Sequence, residues 1–385
     1  MSGGEARLGD LVAFLSGFAF KSQAFNSEGD GLPLVRIRDV VAGRSNTFYS
    51  GPFDGRYLVE DGDYLIGMDG EFNLARWRGG KALLNQRVCK IDKVSPLLDR
   101  HYLARFLPKA LKTIEDATPF VTVKHLSVKA LNEVVIPVPP LAEQRRIAEV
   151  LDRADELRTK RRALLIRLDD LVPSIYREMF GDPMRAVGGP PVRATLGQAA
   201  SVQIGPFGSL LHQEDYVEGG IPLINPIHIV NGKIRPDSRS SVSATKHAEL
   251  SLYHLRSGDV IMGRRGEMGR CAVVTPAEAG MLCGTGSCVV RPDTASVTST
   301  FLQATLSHPS TRRYLEGAAL GATLPNLNRT VVENTPIPVP PLDDQKAFDR
   351  RVAAVKSLKA SQQSSLSELD VLFASLQDRA FRGLL

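Results

Sequence analysis

The hexapeptide Ile136-Pro-Val-Pro-Pro-Leu141 returns as Ile337-Pro-Val-Pro-Pro-Leu342, 201 positions later. The same offset carries Gln144 onto Gln345, Leu168-Asp169 onto Leu369-Asp370, Leu171 onto Leu372, Ser174 onto Ser375 and Phe180 onto Phe381, without a gap. Upstream the match is looser. Gly31-Leu-Pro-Leu-Val35 resembles Gly220-Ile-Pro-Leu-Ile224. Glu60-Asp-Gly-Asp-Tyr-Leu-Ile-Gly67 resembles Arg256-Ser-Gly-Asp-Val-Ile-Met-Gly263, which places Gly70-Glu71 on Gly266-Glu267. Ala19-Phe-Lys-Ser22 resembles Pro206-Phe-Gly-Ser209. Solenoid repeats run about 20–50 residues, so this is no solenoid. The chain reads as a two-part unit written twice: a globular part that has diverged, then a segment that kept its register.

Each segment that kept register reads as a long helix. The first opens after Pro139-Pro140, which must precede a helix interior, and places Glu143 in its first turn, favourable to the helix dipole. Ile147, Val150, Ala154, Leu157, Arg161, Leu164, Leu168, Leu171 and Ile175 then alternate in steps of three and four, the a/d spacing of a coiled coil. A second stripe (Leu151, Leu165, Val172, Tyr176) widens the apolar face. The second copy supplies Phe348, Arg351, Val355, Leu358, Gln362, Ser365, Leu369, Leu372 and Leu376. Arg161 and Gln362 break the two seams at matching positions, and matched polar positions of this kind set register. At ~1.5 Å per residue the first seam would run about 42 Å, longer than a small domain needs. The expected arrangement pairs the two helices antiparallel, with a pseudo-two-fold relation between the repeats. The alternative lays each helix on its own globular part.

The globular parts read as mixed α+β. Short β-type runs (Pro33–Ile37, Tyr64–Ile66, Arg87–Ile91, Pro222–Ile224, Val260–Met262, Cys288–Arg291) lie between Gly, Asp, Asn and Pro clusters. Gly62-Asp63 and Gly258-Asp259 read as turns leading into strands. Helical patterns follow at His101–Ile114 and Ser299–Leu315.

Covalent chemistry finds no constellation. The chain has no phosphate-loop, zinc-protease, nucleophile-elbow or dinucleotide fingerprint, and its seven histidines lack metal-ligand spacing. Asn225-Pro-Ile-His228 matches the Asn-Pro-Pro-aromatic loop of amino-methyltransferases only in its first two residues. Cys89, Cys271, Cys283 and Cys288 form no C-x-x-C pair, so free thiols in a reducing compartment are expected, with neither zinc nor disulfides. The N-terminus has no apolar core of a signal peptide, and no uninterrupted apolar stretch approaches the ~18 residues of a membrane span, so a cytoplasmic protein is expected.

What remains is recognition. The net charge is +6, mildly basic, and its cations gather in turns and at strand ends. The first globular part carries Lys21, Arg36, Arg38, Arg76, Arg78, Gln86, Arg87 and Lys124, and the second carries Arg264, Arg265, Arg270, Asn326 and Asn328. Arg pairs bidentately with guanine and Asn or Gln with adenine, while Lys and Arg also neutralise phosphates. The run Arg158-Thr-Lys-Arg-Arg162 and the pair Asp169-Asp170 are read as solvated helix faces, with DNA-backbone contact the sharper alternative for the basic run.

Two variable parts, each followed by I-P-x-P-P-L, and a long helix opened in the first copy by Ala142-Glu-Gln-Arg-Arg-Ile147, resemble the specificity subunit of type I restriction–modification systems. The openings Gly17-Phe-Ala-Phe-Lys-Ser22 and Gly205-Pro-Phe-Gly-Ser209 are similar to those of that family's target recognition domains. So are Gly220-Ile-Pro-Leu-Ile224, Asn85-Gln-Arg-Val88 and Leu324-Pro-Asn-Leu327. The resemblance covers nearly the whole chain and adds Ser22, Phe207, Gly208 and Ser209 to the candidate DNA contacts, which also include Asn225 and His228.

It implies two target recognition domains, 1–138 and 183–339, a central spacer helix, 139–182, and a C-terminal one, 340–385. It implies that each domain reads one half of a bipartite double-stranded DNA target while the helices set the spacer. It further implies that the chain docks two adenine-N6 methyltransferase subunits, which bind S-adenosylmethionine, and that ATP-dependent restriction subunits can join. On this reading the chain is non-catalytic and binds no cofactor or metal itself. The second copy departs in having Asp343-Asp344-Gln345 where the first has Ala142-Glu143-Gln144, and in its more polar seam. The alternatives are a related methyltransferase or nuclease system without a separate restriction subunit, and a coiled-coil scaffold with no DNA role.

Overall fold

The computed structural model describes residues 4–118, 124–185, 193–319 and 326–385. Leu324-Pro325 of the resemblance lie outside them. The chain divides into two compact units, Met1–Arg162 with Ser364–Leu385, and Ala163–Gln363.

In unit 1 the main elements are β1 (Val12–Ser16), β2 (Leu32–Val35), α1 (Ile37–Ala42), β3 (Tyr64–Gly67), β4 (Leu74–Arg76), β5 (Ala82–Leu84), β6 (Val88–Val94), α2 (Arg100–Ala117), β7 (Val135–Val138) and the first part of α3 (Leu141–Phe180). An antiparallel sheet runs β1-β6-β3-β4. Beside it β2 pairs parallel with β5, Leu34 against Leu83. Unit 2 repeats the plan with β8 (Ala200–Ile204), β9 (Ile221–Ile224), β10 (Val260–Gly263), β11 (Cys271–Val273), β12 (Ser287–Pro292), α4 (Ser299–Ser307), α5 (Pro309–Ala318) and the first part of α6 (Leu342–Ala380). Its sheet runs β8-β12-β10-β11, antiparallel throughout, and β9 pairs parallel with Leu282–Cys283. The mixed α+β reading, twice over, holds. The turns also recur: Gly62 and Gly258 both have φ near +90°, the left-handed conformation that glycine adopts without a Cβ clash.

Two details differ from expectation. Ile37, read as the end of a strand, starts α1 instead, because Asp39 turns back to accept a hydrogen bond from the Arg36 amide at 2.9 Å. The helical pattern of Ser299–Leu315 is two helices. Pro309 has no N–H to give, and the residue before a proline is driven out of the helical region, so His308 sits extended at ψ 138 and caps the second helix.

The long helices run antiparallel where they meet within each unit. In unit 1, Ile147, Ala148 and Leu151 near the start of α3 share a core with Phe373, Leu376 and Ala380 near the end of α6. Further along α3, Arg158 and Arg162 reach back to Asp370 at 2.6 and 3.0 Å. In unit 2, Asp169 pairs with Lys359, and Glu178, further on, with the earlier Arg351. Each half-helix also packs on its own globular part, as Ile147 and Leu151 do on Tyr102 and Leu103, so the two arrangements coexist.

The seam is only part of the a/d stripe. Ile147 and Leu168 are buried, and Val150, Arg161, Ile175, Val355, Gln362, Leu369 and Leu376 are half-buried. Leu157, Leu164, Leu171, Leu358 and Leu372 are exposed, at 54%, 37%, 40%, 46% and 50%. The second stripe is covered as well, with Leu151 and Tyr176 fully buried and Leu165 and Val172 half-buried. A straight helix drifts ~20° per heptad from a 3.5 repeat, and cover from the globular parts selects the side that drift brings round. In the basic run Lys160 and Arg162 are exposed as expected, but Arg158 is not solvated: its guanidinium lies 4.2 Å from the Phe373 ring centre and binds Asp155 and Asp370. Asp169 is likewise paired. Leu151→Ala is accordingly expected to cost about 3 kcal/mol in chemical denaturation, and Leu157→Ala no more than about 0.5 kcal/mol. Similar costs for the two would restore the a/d seam.

Candidate nucleic-acid interface

In unit 1 five turns are stitched together by backbone hydrogen bonds. Gly17 donates to Val88 O (2.9 Å), Phe18 to Leu84 O (2.9 Å), Asn85 to Val35 O (3.3 Å), Met68 to Arg87 O (3.0 Å) and Leu126 to Met68 O (2.7 Å). The approach is so close that a Cβ on Gly17 would stand 2.1 Å from the Asn85 carbonyl oxygen. Unit 2 repeats the stitching: Gly205 donates to Ser287 O (3.0 Å), Gly284 to Ile224 O (3.0 Å), Arg264 to Gly286 O (3.0 Å) and Leu327 to Arg264 O (3.0 Å). The frame is shared and its side chains are not. It places Asp69 opposite His125 in unit 1, and Arg265 opposite Asn326 in unit 2.

Unit 1 gathers most of its expected residues here. Gln86 and Arg87 lie on the Asn85–Val88 turn, Arg36 and Arg38 at the start of α1, and Lys21 and Ser22 just after the Gly17 turn; all but the half-buried Arg36 are exposed. Arg38 reaches Thr47 Oγ1 at 3.3 Å. Lys124 is occupied, since its ammonium donates to the Glu115 carbonyl at 2.5 Å. Arg76 and Arg78 are not part of the cluster. Arg76 pairs with Tyr64, at the opposite end of β3 from the Gly67 turn, and Arg78 follows it.

In unit 2, Phe207, Gly208, Ser209 and Arg265 are exposed. Others hold the frame. Arg264 is 4% exposed and its guanidinium binds only neutral acceptors: Thr285 O at 3.1 Å, Asn326 Oδ1 at 2.6 Å and Leu327 O. Burial, and then the Arg265 charge beside it, hold its pKa below the ordinary arginine value. Asn225 accepts from Gly286 N at 3.1 Å, and its own amide donates to Nδ1 of buried His228, also at 3.1 Å. Burial keeps His228 below the usual histidine range. Asn328 caps the Arg329–Glu333 helix, and Arg270 is paired with Glu267. Arg264, Asn326, Asn225, His228 and Asn328 therefore serve first to shape the turns.

The sequence reading overlooked Asp69 and His125. The 201-residue offset was the available signal: it carries His125-Leu126 onto Asn326-Leu327, and Asp69 falls on Arg265 once the flanking glycines are matched.

Among the described residues no group of His, Cys, Asp and Glu could hold a metal, and no helix is long and apolar enough to cross a membrane. All four cysteines are free and buried, and burial pushes Cys89 and Cys288 up to about 12, far from a reactive thiolate. A cleft of about 480 Å³ in unit 1, between α2 and the long helices, contains Arg105, Lys109, Lys112 and Arg158, each tied to a carboxylate.

The description "Type I restriction modification DNA specificity domain" matches residues 4–166 and 206–360. The chain is 29% identical to the type I restriction enzyme EcoBI specificity subunit of Escherichia coli, over 97% of this chain and 84% of that one. To the MjaVIII specificity subunit of Methanocaldococcus jannaschii it is 21% identical, over 91% and 85%. Among solved structures, one described under complex assembly and conformational transition of the type I restriction–modification system superposes with a TM-score of 0.63 at 19% identity, covering 100% of this chain and 98% of that one. The S subunit from M. genitalium gives 0.56 at 16%, covering 98% and 96%. The repeated α+β unit, its paired helices, the stitched turns and the family match over most of its length together show that this chain belongs to the type I restriction–modification DNA specificity family, a non-catalytic family whose work is DNA recognition.

Proposed function

We propose that each unit reads one half of a bipartite DNA duplex, that α3 and α6 fix the unspecified spacer, and that the chain works in the cytoplasm with two adenine-N6 methyltransferase subunits. Those subunits bind S-adenosylmethionine and carry out the methylation, and ATP-dependent restriction subunits add to the same complex. One observation carries the reading. Four of the five backbone bonds that build the turn cluster in unit 1 recur in unit 2, while the side chains held by it differ in charge and shape. A scaffold would have no reason to keep the frame and vary its contents; a pair of readers for two different half-sites would. The charge is arranged to match, with Lys21, Arg38, Arg87 and Arg265 exposed toward a polyanion.

Exposed Leu157 and Leu372 in unit 1, and Leu164, Leu171 and Leu358 in unit 2, support docking of the methyltransferase subunits on the helices. Leu157→Glu with Leu372→Glu is expected to abolish co-purification of those subunits while changing stability by no more than about 0.5 kcal/mol. Retained co-purification would move the docking surface elsewhere.

The overall test is methylome sequencing of a host that expresses the chain with its partner, together with footprinting of the complex. A split motif with a fixed, unspecified gap is expected. One contiguous protected site without a dispensable centre would refute the spacer role.

A further inference from the structure

Resting on the DNA-recognition reading above, the geometry at the Asp69–His125 bridge assigns a base to one side chain. We propose that Arg87 reads a guanine in the half-site of unit 1, and that Asp69 is its positioning residue, with His125 fixing the other side of the same carboxylate.

Asp69 lies on the turn after β3 with only 15% of its side chain exposed, and it holds two neighbours at once. Its Oδ2 is 3.2 Å from Arg87 Nε, and its Oδ1 accepts from His125 Nδ1 at 2.6 Å. The backbone locks the same place, since Met68 N donates to Arg87 O and Leu126 N to Met68 O. Arg87 itself is 63% exposed. The ion pair ties the guanidinium to one side, and no hydrogen bond spends its N–H groups among the described residues. A guanidinium is the planar fork that matches guanine O6 and N7.

A phosphate contact is the competing use of an exposed arginine, and the surroundings disfavour it. A guanidinium fork also matches phosphate, but attraction to the backbone rests on net charge, part of which the Asp69 carboxylate offsets. Hydrogen bonding to a neutral base depends less on net charge, and the ion pair with Asp69 orients the guanidinium.

Unit 2 provides the contrast. By the matching hydrogen bonds, Gly286 stands where Arg87 does, Arg265 where Asp69 does, and Asn326 where His125 does. The unit 2 frame thus carries no arginine on the turn that presents one in unit 1, so the guanine assignment belongs to unit 1 alone.

The test is selection from a duplex library with both half-sites randomised, using the chain assembled with its methyltransferase subunits. Wild type, Arg87→Ala, Arg87→Lys and Asp69→Asn are compared, each at two salt concentrations. Wild type should fix a guanine in one half-site. Arg87→Ala and Arg87→Lys should lose about tenfold or more of that discrimination, Asp69→Asn a smaller part, and the other half-site should stay unchanged, which also shows the complex intact. Should Arg87→Ala not assemble, Arg87→Lys and Asp69→Asn give the same readout. Guanine preference unchanged in the arginine variants overturns the assignment. So does uniform weakening on all sequences with the salt slope reduced by about one, the signature of a phosphate contact. Unchanged preference in Asp69→Asn removes Asp69 from the role. A wild-type complex that selects no split sequence refutes the recognition reading itself, whereas a selective wild type with insensitive variants refutes only this inference.

Discussion

Gln144→Ala and Gln345→Ala are each expected to destabilise their own unit by about 3 kcal/mol, the price of stranding three buried polar groups. Both glutamines are fully buried and do the same work. Gln144 Oε1 accepts from Asp99 N at 2.7 Å, and its Nε2 donates to Leu97 O at 2.9 Å and Pro139 O at 2.8 Å. Gln345 accepts from Thr298 N at 2.9 Å and donates to Ser296 O at 3.0 Å and Pro340 O at 2.8 Å. Asp99 and Thr298 are the N-caps of α2 and α4. Each glutamine therefore clamps the proline-led start of a long helix to the start of a helix in its own globular part, α2 or α4. Alanine leaves an amide and two carbonyls buried without partners. For units of this size the expected fall in melting temperature is about 6–12 °C by scanning calorimetry. Glutamate should be no better than alanine, since it supplies no donor and buries a charge. A fall below about 2 °C would mean that water replaces the side chain.

Asp259→Ala is expected to cost about as much, on the order of 3 kcal/mol, and Asp63→Ala at the matching turn only about 1 kcal/mol. Asp259 is 1% exposed and takes the Arg291 guanidinium end to end, Oδ1 from Nε at 2.7 Å and Oδ2 from Nη2 at 2.8 Å, with the Arg256 amide at 2.8 Å as well. The carboxylate raises the arginine pKa above its ordinary value. Removing one partner leaves a partly buried cation and an unfilled amide. Asp63 instead meets Lys90 at 3.7 Å, a looser, single-point contact, and caps Glu60 N at 3.0 Å. Urea denaturation of both variants checks the ranking, and equal costs would show that the turn, not the ion pair, sets the value.

The repeat made much of this legible. Gln144 and Gln345 stood out in the sequence as a matched pair, though their role needed the carbonyls they reach. Gly62-Asp63 and Gly258-Asp259 were read as turns into strands and are such turns, because glycine supplies the left-handed backbone. The site was partly legible. Residue type and turn placement picked out Gln86, Arg87, Arg38 and Arg265, which stand exposed in the structure. The same criteria picked out Arg264 and Asn328, whose side chains are spent on neighbouring groups of the frame. A sequence does not say which of two adjacent arginines faces inward. It also did not show that Arg76 lies at the wrong end of its strand, since that depends on the register of β4 against β3.

Sequence alone settled the duplication, the mixed architecture, the two helices and the absence of any recognisable catalytic motif, because all of these are periodicities or local patterns that need no knowledge of distant partners. Tertiary structure decided which helix stripe is covered, why the Arg158 run turns toward Asp370, and that Asp69, His125 and Arg87 meet. Those outcomes depend on long-range contacts: a helix offers several plausible faces, and only the surface packed against it selects one. The bridge joins residues 56 positions apart, a closure that local propensity cannot encode.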